Sequence, residues 1–275
     1  MPTNTFAFKQ FVIHQDRCAM KVGTDAVLLG AWVRLPNQPV SDLVRPDSMQ
    51  PNLVQPDLAQ SGHPGDDAAP TSSYPQFPFT VLDMGSGTGI LALMAAQRGA
   101  RHVVGVEIDA EAVGQARENV QRSPYANVVD IVQADLCTWH SDQRFDIILS
   151  NPPFFREDTL SPSAARATAR HAAALSFEQL VACACRHLAS DGQFSVVLPA
   201  KEMAHFTGIC TLNDLSLVRC TLVSTRQGQP PKRVLLTFTN HPCPDRPQRD
   251  MLTLTDAEGQ RSSAYASLTA DFYLR

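Results

Sequence analysis

The sequence predicts an α/β fold of Rossmann-like type, built on an open, doubly wound sheet of seven strands. Three observations carry this. From residue 79 onward short apolar strands alternate with helices, the pattern of right-handed crossovers onto a mostly parallel sheet. The strands are continuous apolar runs, such as Ile147-Ile148-Leu149, which suit a sheet covered on both faces. A glycine-rich turn, Gly85-Ser86-Gly87-Thr88-Gly89, lies between the first strand and the first helix of the series, where doubly wound sheets hold ligands.

Taken in order, residues 24–34 read as a short apolar helix, with Thr24 or Asp25 as its cap. Residues 36–79 hold nine of the chain's twenty prolines, with five acids and one base. No apolar period survives there, and the stretch reads as a solvated, irregular insertion. Residues 79–83 are the first strand of the alternation. A helix from Ile90 to Arg98 follows and closes at Gly99. Residues 102–107, 128–133 and 145–150 are the next strands, with a polar amphipathic helix at 110–122. A helix at 176–189 precedes strands at 193–199, 216–224 and 233–239. No internal repeat is present.

Bulk properties exclude several classes. At 275 residues the chain can bury a large core without disulfides or metals. The longest apolar runs, five to seven residues, are too short to span a bilayer, and no secretory pattern opens the chain. Seven cysteines at scattered positions match no metal-ligand spacing and read as reduced thiols of a cytoplasmic protein. The net charge of −4 is that of residues 36–79 alone. The remainder is balanced, which permits a local basic patch for RNA without requiring one.

Asp83 stands two residues before Gly85, and Glu107 ends the next strand. An acid at Glu107 can accept from both hydroxyls of an adenosine ribose, as in dinucleotide-binding folds. The glycines alternate, however, and do not follow G-x-G-x-x-G. An acid at the end of the first strand would repel a pyrophosphate. It suits a ligand with a cationic end, and S-adenosylmethionine carries an ammonium and a sulfonium. Gly85, Ser86, Gly87 and Gly89 would cradle it, with Asp83 reaching the cation directly or through water. Asp135 would accept from its adenine amino group, and Ile108 and Leu136 would wall the adenine.

Ser150-Asn151-Pro152-Pro153-Phe154 follows the fourth strand, at the carboxyl edge of the sheet beside the cofactor crevice. An exocyclic amino group is a poor nucleophile, because its lone pair delocalises into the ring. The Asn151 side-chain oxygen and the Pro152 carbonyl can accept its two N–H bonds and direct the lone pair at a methyl group. Pro153 keeps Pro152 extended, and Phe154 can stack on the flat ring. Catalysis is then positioning and electrostatic fit, with no tuned base. A base in a stacked loop must be flipped out to reach such a site. Arg156, Arg166, Arg170 and His171 lie in a following loop suited to phosphates.

These segments together resemble a known family, the bacterial tRNA adenine-N6 methyltransferases that modify the adenosine just 3′ of the anticodon of a valine tRNA. The resemblance rests on Phe8-Lys9-Gln10-Phe11, residues 16–25 (DRCAMKVGTD), residues 28–32 (LLGAW), the Asp83–Gly89 turn, Ser150–Phe154, residues 196–199 (VVLP) and 233–236 (RVLL), and the tail at 265–274. It covers nearly the whole chain except residues 36–79. It implies a class I methyltransferase fold with the last strand antiparallel, S-adenosyl-L-methionine as cofactor, and a tRNA substrate without metal or membrane. It also implies that Lys21, Gly23, Thr24 and Asp25 lie over the methionyl end of the cofactor, and that Asn151 touches both ligands. The chain then divides into a covering segment at 1–35, the insertion at 36–79 and the methyltransferase domain at 80–275. The competing readings are the same chemistry on a ribosomal RNA guanine N2, a DNA adenine or a protein glutamine. A non-catalytic S-adenosylmethionine- or RNA-binding module and a nicotinamide dehydrogenase come after these.

Overall fold

The computed structural model describes residues 4–18, 21–36, 78–153, 175–243 and 246–274. Strands β1 (Thr5–Ala7) and β2 (Val12–His14) form an antiparallel hairpin, followed by helix α1 (Thr24–Trp32). The α/β series then runs β3 (Thr80–Met84), α2 (Ile90–Gln97), β4 (His102–Glu107), α3 (Ala110–Gln121), β5 (Val129–Gln133) and β6 (Phe145–Ser150). It continues with α4 (Phe177–His187), β7 (Leu188–Pro199), a short 3-10 turn, α5 (Met203–Leu212), β8 (Ser216–Arg226), β9 (Arg233–Thr239), β10 (Gln248–Thr255) and α6 (Ser263–Leu268). Among the described residues no helix is long and apolar enough to cross a membrane.

The main sheet has the order β5-β4-β3-β6-β7-β9-β8-β10. Every neighbouring pair is parallel except those of β9, which runs against both β7 and β8. The last of the seven strands read from the sequence is therefore the antiparallel one. An eighth, β10, adds an edge beyond them, parallel to β8. The chain moves outward from β3 through β4 to β5, then returns to lay β6 on the other flank of β3. The carboxyl ends of β3 and β6 thus border the crevice where the strand order reverses, which is where such sheets bind ligands.

Period-2 alternation divides the apolar strand residues between two cores. Val81, Ile147 and Leu149 face one core with α1 and α2, whereas Leu82, Ile148 and Phe194 face the other with α4 and α5. Helix α1 ends at Trp32, two residues short of the expected span, and its N-cap is Gly23 with no side-chain cap bond. Thr24 and Asp25 do not cap it; Asp25 is held instead by Arg233, with Nε to Oδ2 at 2.7 Å. A long-range ion pair with β9 takes the place of a local cap. From Ala26 to Trp32 every residue of α1 is buried. A β-carbon on Gly30 would stand 2.7 Å from the Met94 sulfur, so glycine lets α1 and α2 approach closely. The N-terminal hairpin joins the same core through Phe8, Phe11 and Ile13. Phe8 stacks on Tyr273, and the Lys9 amide donates to Phe272 at 2.9 Å, which ties the start of the chain to its end.

Residues 37–77 enter between α1 and β3, and Trp32, Val33, Phe79 and Val81 on either side belong to one core. Replacing residues 38–76 with a short Gly-Ser link is expected to leave a single cooperative melting transition within about 5 °C of the parent. A broad transition, or a midpoint lowered by more than about 10 °C, would show that the segment is part of the folded core.

Candidate active site

The glycine turn takes its shape from three positive φ angles, +75° at Gly85, +51° at Gly87 and +80° at Gly89, a region that side chains disfavour. The Gly85 and Ser86 amides donate to the Val106 carbonyl at 2.9 and 3.1 Å, so the turn folds back onto β4. Among the described residues, and apart from each glycine's own chain neighbours, no atom lies within 4 Å of where a β-carbon would stand on Gly85 or Gly87. The turn therefore borders open space, a cavity of about 250 Å³ at the carboxyl ends of β3, β4, β5 and β6.

Among the described acids at that cavity, Glu107, Asp135 and Asp83 differ in how they are held. Glu107 is locked by backbone donors. One carboxylate oxygen accepts from Gly87 at 2.9 Å, and the other accepts from Ile108 and Asp109 at 2.9 and 3.0 Å. Its outer lone pairs remain suited to a diol. Asp135 accepts from the Cys137 amide at 2.8 Å and lines the cavity with Leu136. Arg186 of α4 donates to the Leu136 and Cys137 carbonyls at 3.0 and 3.3 Å and steadies this wall from behind.

Asp83 differs. It has no exposed surface and lies beneath the cavity rather than in its lining. One oxygen accepts from the Ala92 amide at 3.2 Å, and the other is buried with no hydrogen-bond partner among the described residues. Burial pushes its pKa up to about 7, with the Glu107 charge adding to the rise and the Ala92 hydrogen bond opposing it.

The turn after β6 completes the site. The Ser150 hydroxyl, fully buried, donates to the Met84 carbonyl at 2.9 Å. This holds the ends of β3 and β6 together, and Asn151, Pro152 and Pro153 line the same cavity as the glycine turn.

Of the residues expected at the cofactor, Lys21, Gly23, Gly85, Ser86, Gly87, Glu107, Ile108, Asp135, Leu136 and Asn151 line this one cavity. Thr24, Asp25, Asp83 and Gly89 do not. Asp25 points to Arg233, and Gly89 serves the backbone, its φ starting α2 against Ala116. Phe154, Arg156, Arg166, Arg170 and His171 lie outside the described residues. Cys18, Asp109, Leu175 and Leu180, which carry no cofactor role in the sequence pattern, also line the cavity. Leu180 is a core position of the amphipathic helix α4, and nothing in its spacing separates a cavity wall from ordinary core.

Residues 73–215 match the family model described as the methyltransferase small domain. A tRNA1(Val) (adenine(37)-N6)-methyltransferase of Phocaeicola vulgatus is 37% identical over 274 residues, spanning 100% of this chain and 99% of the relative. Its namesake from Klebsiella pneumoniae is 37% identical over 278 residues, covering 100% and 96%. Among solved structures, a predicted O-methyltransferase from Agrobacterium tumefaciens aligns with a TM-score of 0.58 at 17% identity. It covers 90% of this chain and 96% of that one, a likeness of fold.

The raised pKa of Asp83 gives a signed prediction for stability without ligand. The folded chain retains a proton that the unfolded chain releases above pH ~4. Stability therefore falls by up to ~1.4 kcal/mol per pH unit from pH ~4 to 7 and then levels off. Asp83→Asn keeps the acceptor for Ala92 and removes this slope. In urea titrations the variant should match the parent near pH 4 and exceed it by roughly 2–4 kcal/mol at pH 8. Equal stability at both pH values would contradict the burial argument.

Proposed function

The chain belongs to the tRNA1(Val) (adenine(37)-N6)-methyltransferase family, and from that premise we propose that it methylates the exocyclic N6 of adenine 37 in a valine tRNA, in the cytoplasm. S-adenosyl-L-methionine is the methyl donor of the family. The residues present suit that cofactor. Glu107 offers a fixed carboxylate for the ribose hydroxyls, Asp135 an acceptor for the adenine amine, and Gly85 and Gly87 open space beside the main chain. Asp83 puts an unpartnered carboxylate oxygen under the same cavity, where a cation above would favour its ionised form. Lys21 and Gly23 belong to the cover over that cavity.

When bound, the cofactor supplies an electrophilic methyl group on a sulfonium. The chain's own part is to hold the nucleophile. The Asn151 side-chain oxygen and the Pro152 carbonyl accept the two N–H bonds of the target amine and turn its lone pair toward the cavity. Phe154 stacks on the adenine, and Arg156, Arg166, Arg170 and His171 contact phosphates of the tRNA. The amine proton becomes acidic as its nitrogen gains positive charge, so water suffices to remove it. The observation that carries this reading is the junction at Ser150–Met84, which brings an Asn-Pro-Pro turn to the same cavity as the glycine turn, Glu107 and Asp135.

The test uses labelled cofactor and small RNA from a strain lacking the gene. Label should enter valine tRNA and be recovered as N6-methyladenosine. Asn151→Ala should lower turnover by about 100-fold or more while cofactor Kd changes less than about threefold. Label in another nucleoside or polymer would refute the substrate. Near-parental turnover of the variant would refute the role of Asn151.

A further inference from the structure

The N-terminal cover, in its described stretches 14–18 and 21–23, borders the cavity, where Cys18, Lys21, Val22 and Gly23 line it. After His14 its described residues belong to no helix or strand. Side chains therefore hold its height above the floor, and α3 supplies them. Asn119 is wholly buried. Its oxygen accepts from the His14 amide at 2.8 Å, and its nitrogen donates to the His14 carbonyl at 2.9 Å. The side chain thus pairs with the end of β2 as a neighbouring strand would. The same nitrogen donates to the Thr88 carbonyl at 2.9 Å, within the glycine turn. One amide group therefore bonds both the cover and the floor.

Four residues earlier on the same helical face, Gln115 is 1% exposed and accepts from the Arg17 amide at 2.9 Å. The Arg17 guanidinium pairs with Glu118 at 2.5 Å. The Gln15 side-chain oxygen accepts from the Val22 amide at 2.7 Å and joins the two described stretches of the cover. Apolar residues at 115 and 119 would serve the packing of α3 equally well. They would leave backbone groups of the cover unpaired. The two amides are therefore placed for alignment.

We infer that Asn119 and Gln115 are positioning residues for cofactor binding: they fix the cover against the glycine turn and so keep the cavity formed before the ligand arrives. Neither residue lines the cavity, so they act through the backbone of His14, Arg17 and Thr88. Preformation spares the ordering of the cover on binding, which would otherwise weaken affinity. This inference rests on the cofactor reading proposed above.

Asn119→Asp keeps an acceptor and turns the donor into an oxygen that faces the carbonyls of His14 and Thr88. Its Kd for S-adenosylhomocysteine, by calorimetry, should rise about tenfold, while kcat on valine tRNA at saturating cofactor stays within about threefold. Gln115→Leu should act in the same direction, whereas Gln115→Glu, which still accepts from Arg17, should keep the parental Kd. In the ligand-free parent, hydrogen exchange at the His14, Arg17 and Val22 amides should already be slow, and the Arg17 amide should exchange faster in Gln115→Leu. If Asn119→Asp does not fold, the Gln115 pair and the exchange rates decide. Unchanged Kd in Asn119→Asp and Gln115→Leu, equal losses in Gln115→Leu and Gln115→Glu, or fast exchange at these amides in the ligand-free parent would overturn the inference. A parent protein that binds no S-adenosylhomocysteine would instead bring down the cofactor reading itself.

Discussion

The site depends on the pairing of β3 with β6 and on the hydrogen bond that extends it. The parallel ladder between the two strands ends at Asp83 and Leu149. One residue further, the Ser150 hydroxyl reaches the Met84 carbonyl. Beyond that point the chains diverge, one into the glycine turn and the other into Asn151-Pro152-Pro153. The strand order makes a crevice there, and the Ser150 bond sets how closely its two lips approach. A slip of one residue in this register would turn Ser150 to the other face of the sheet.

Electrostatics builds on the same geometry. Glu107 accepts three backbone N–H bonds while Asp83 accepts one, and only Asp83 is wholly enclosed. Its Oδ2 accepts from Ala92 in the first turn of α2, and a helix start favours a carboxylate. Burial outweighs that single bond and raises the pKa to about 7. Without ligand the cavity thus rests on an acid that is half protonated near neutral pH, and a cationic ligand would remove that cost by favouring the charged form. The cover adds a mechanical counterpart. It is fastened to α3 through Asn119, and the same side chain holds Thr88 in the glycine turn.

Much of this is legible in the amino-acid sequence, for physical reasons. Strands buried on both faces must be apolar at every position, so Val81-Leu82 and Ile147-Ile148-Leu149 identify themselves. Acids at strand ends, Glu107 and Asp135, stand out for the same reason. β10 is less legible because an edge strand need not be apolar, and its Gln248-Arg249-Asp250 start resembles a loop. β1 and β2 are three residues each, too short for a period to register. Long-range partners are invisible to local reading. Asp25 belongs to Arg233, which lies 208 residues away. Gln115 and Asn119 read as the solvated face of a polar helix until the N-terminal segment covers them.

Ser150→Ala tests this account of the site most directly, because it removes the side-chain bond between the two lips and leaves the main chain of both turns in place. Turnover on valine tRNA at saturating cofactor should fall by about tenfold, with the Kd for S-adenosylhomocysteine within about twofold of the parent. Parental turnover in the folded variant would contradict it and leave the approach of Asn151 to the glycine turn to be explained by something other than this junction.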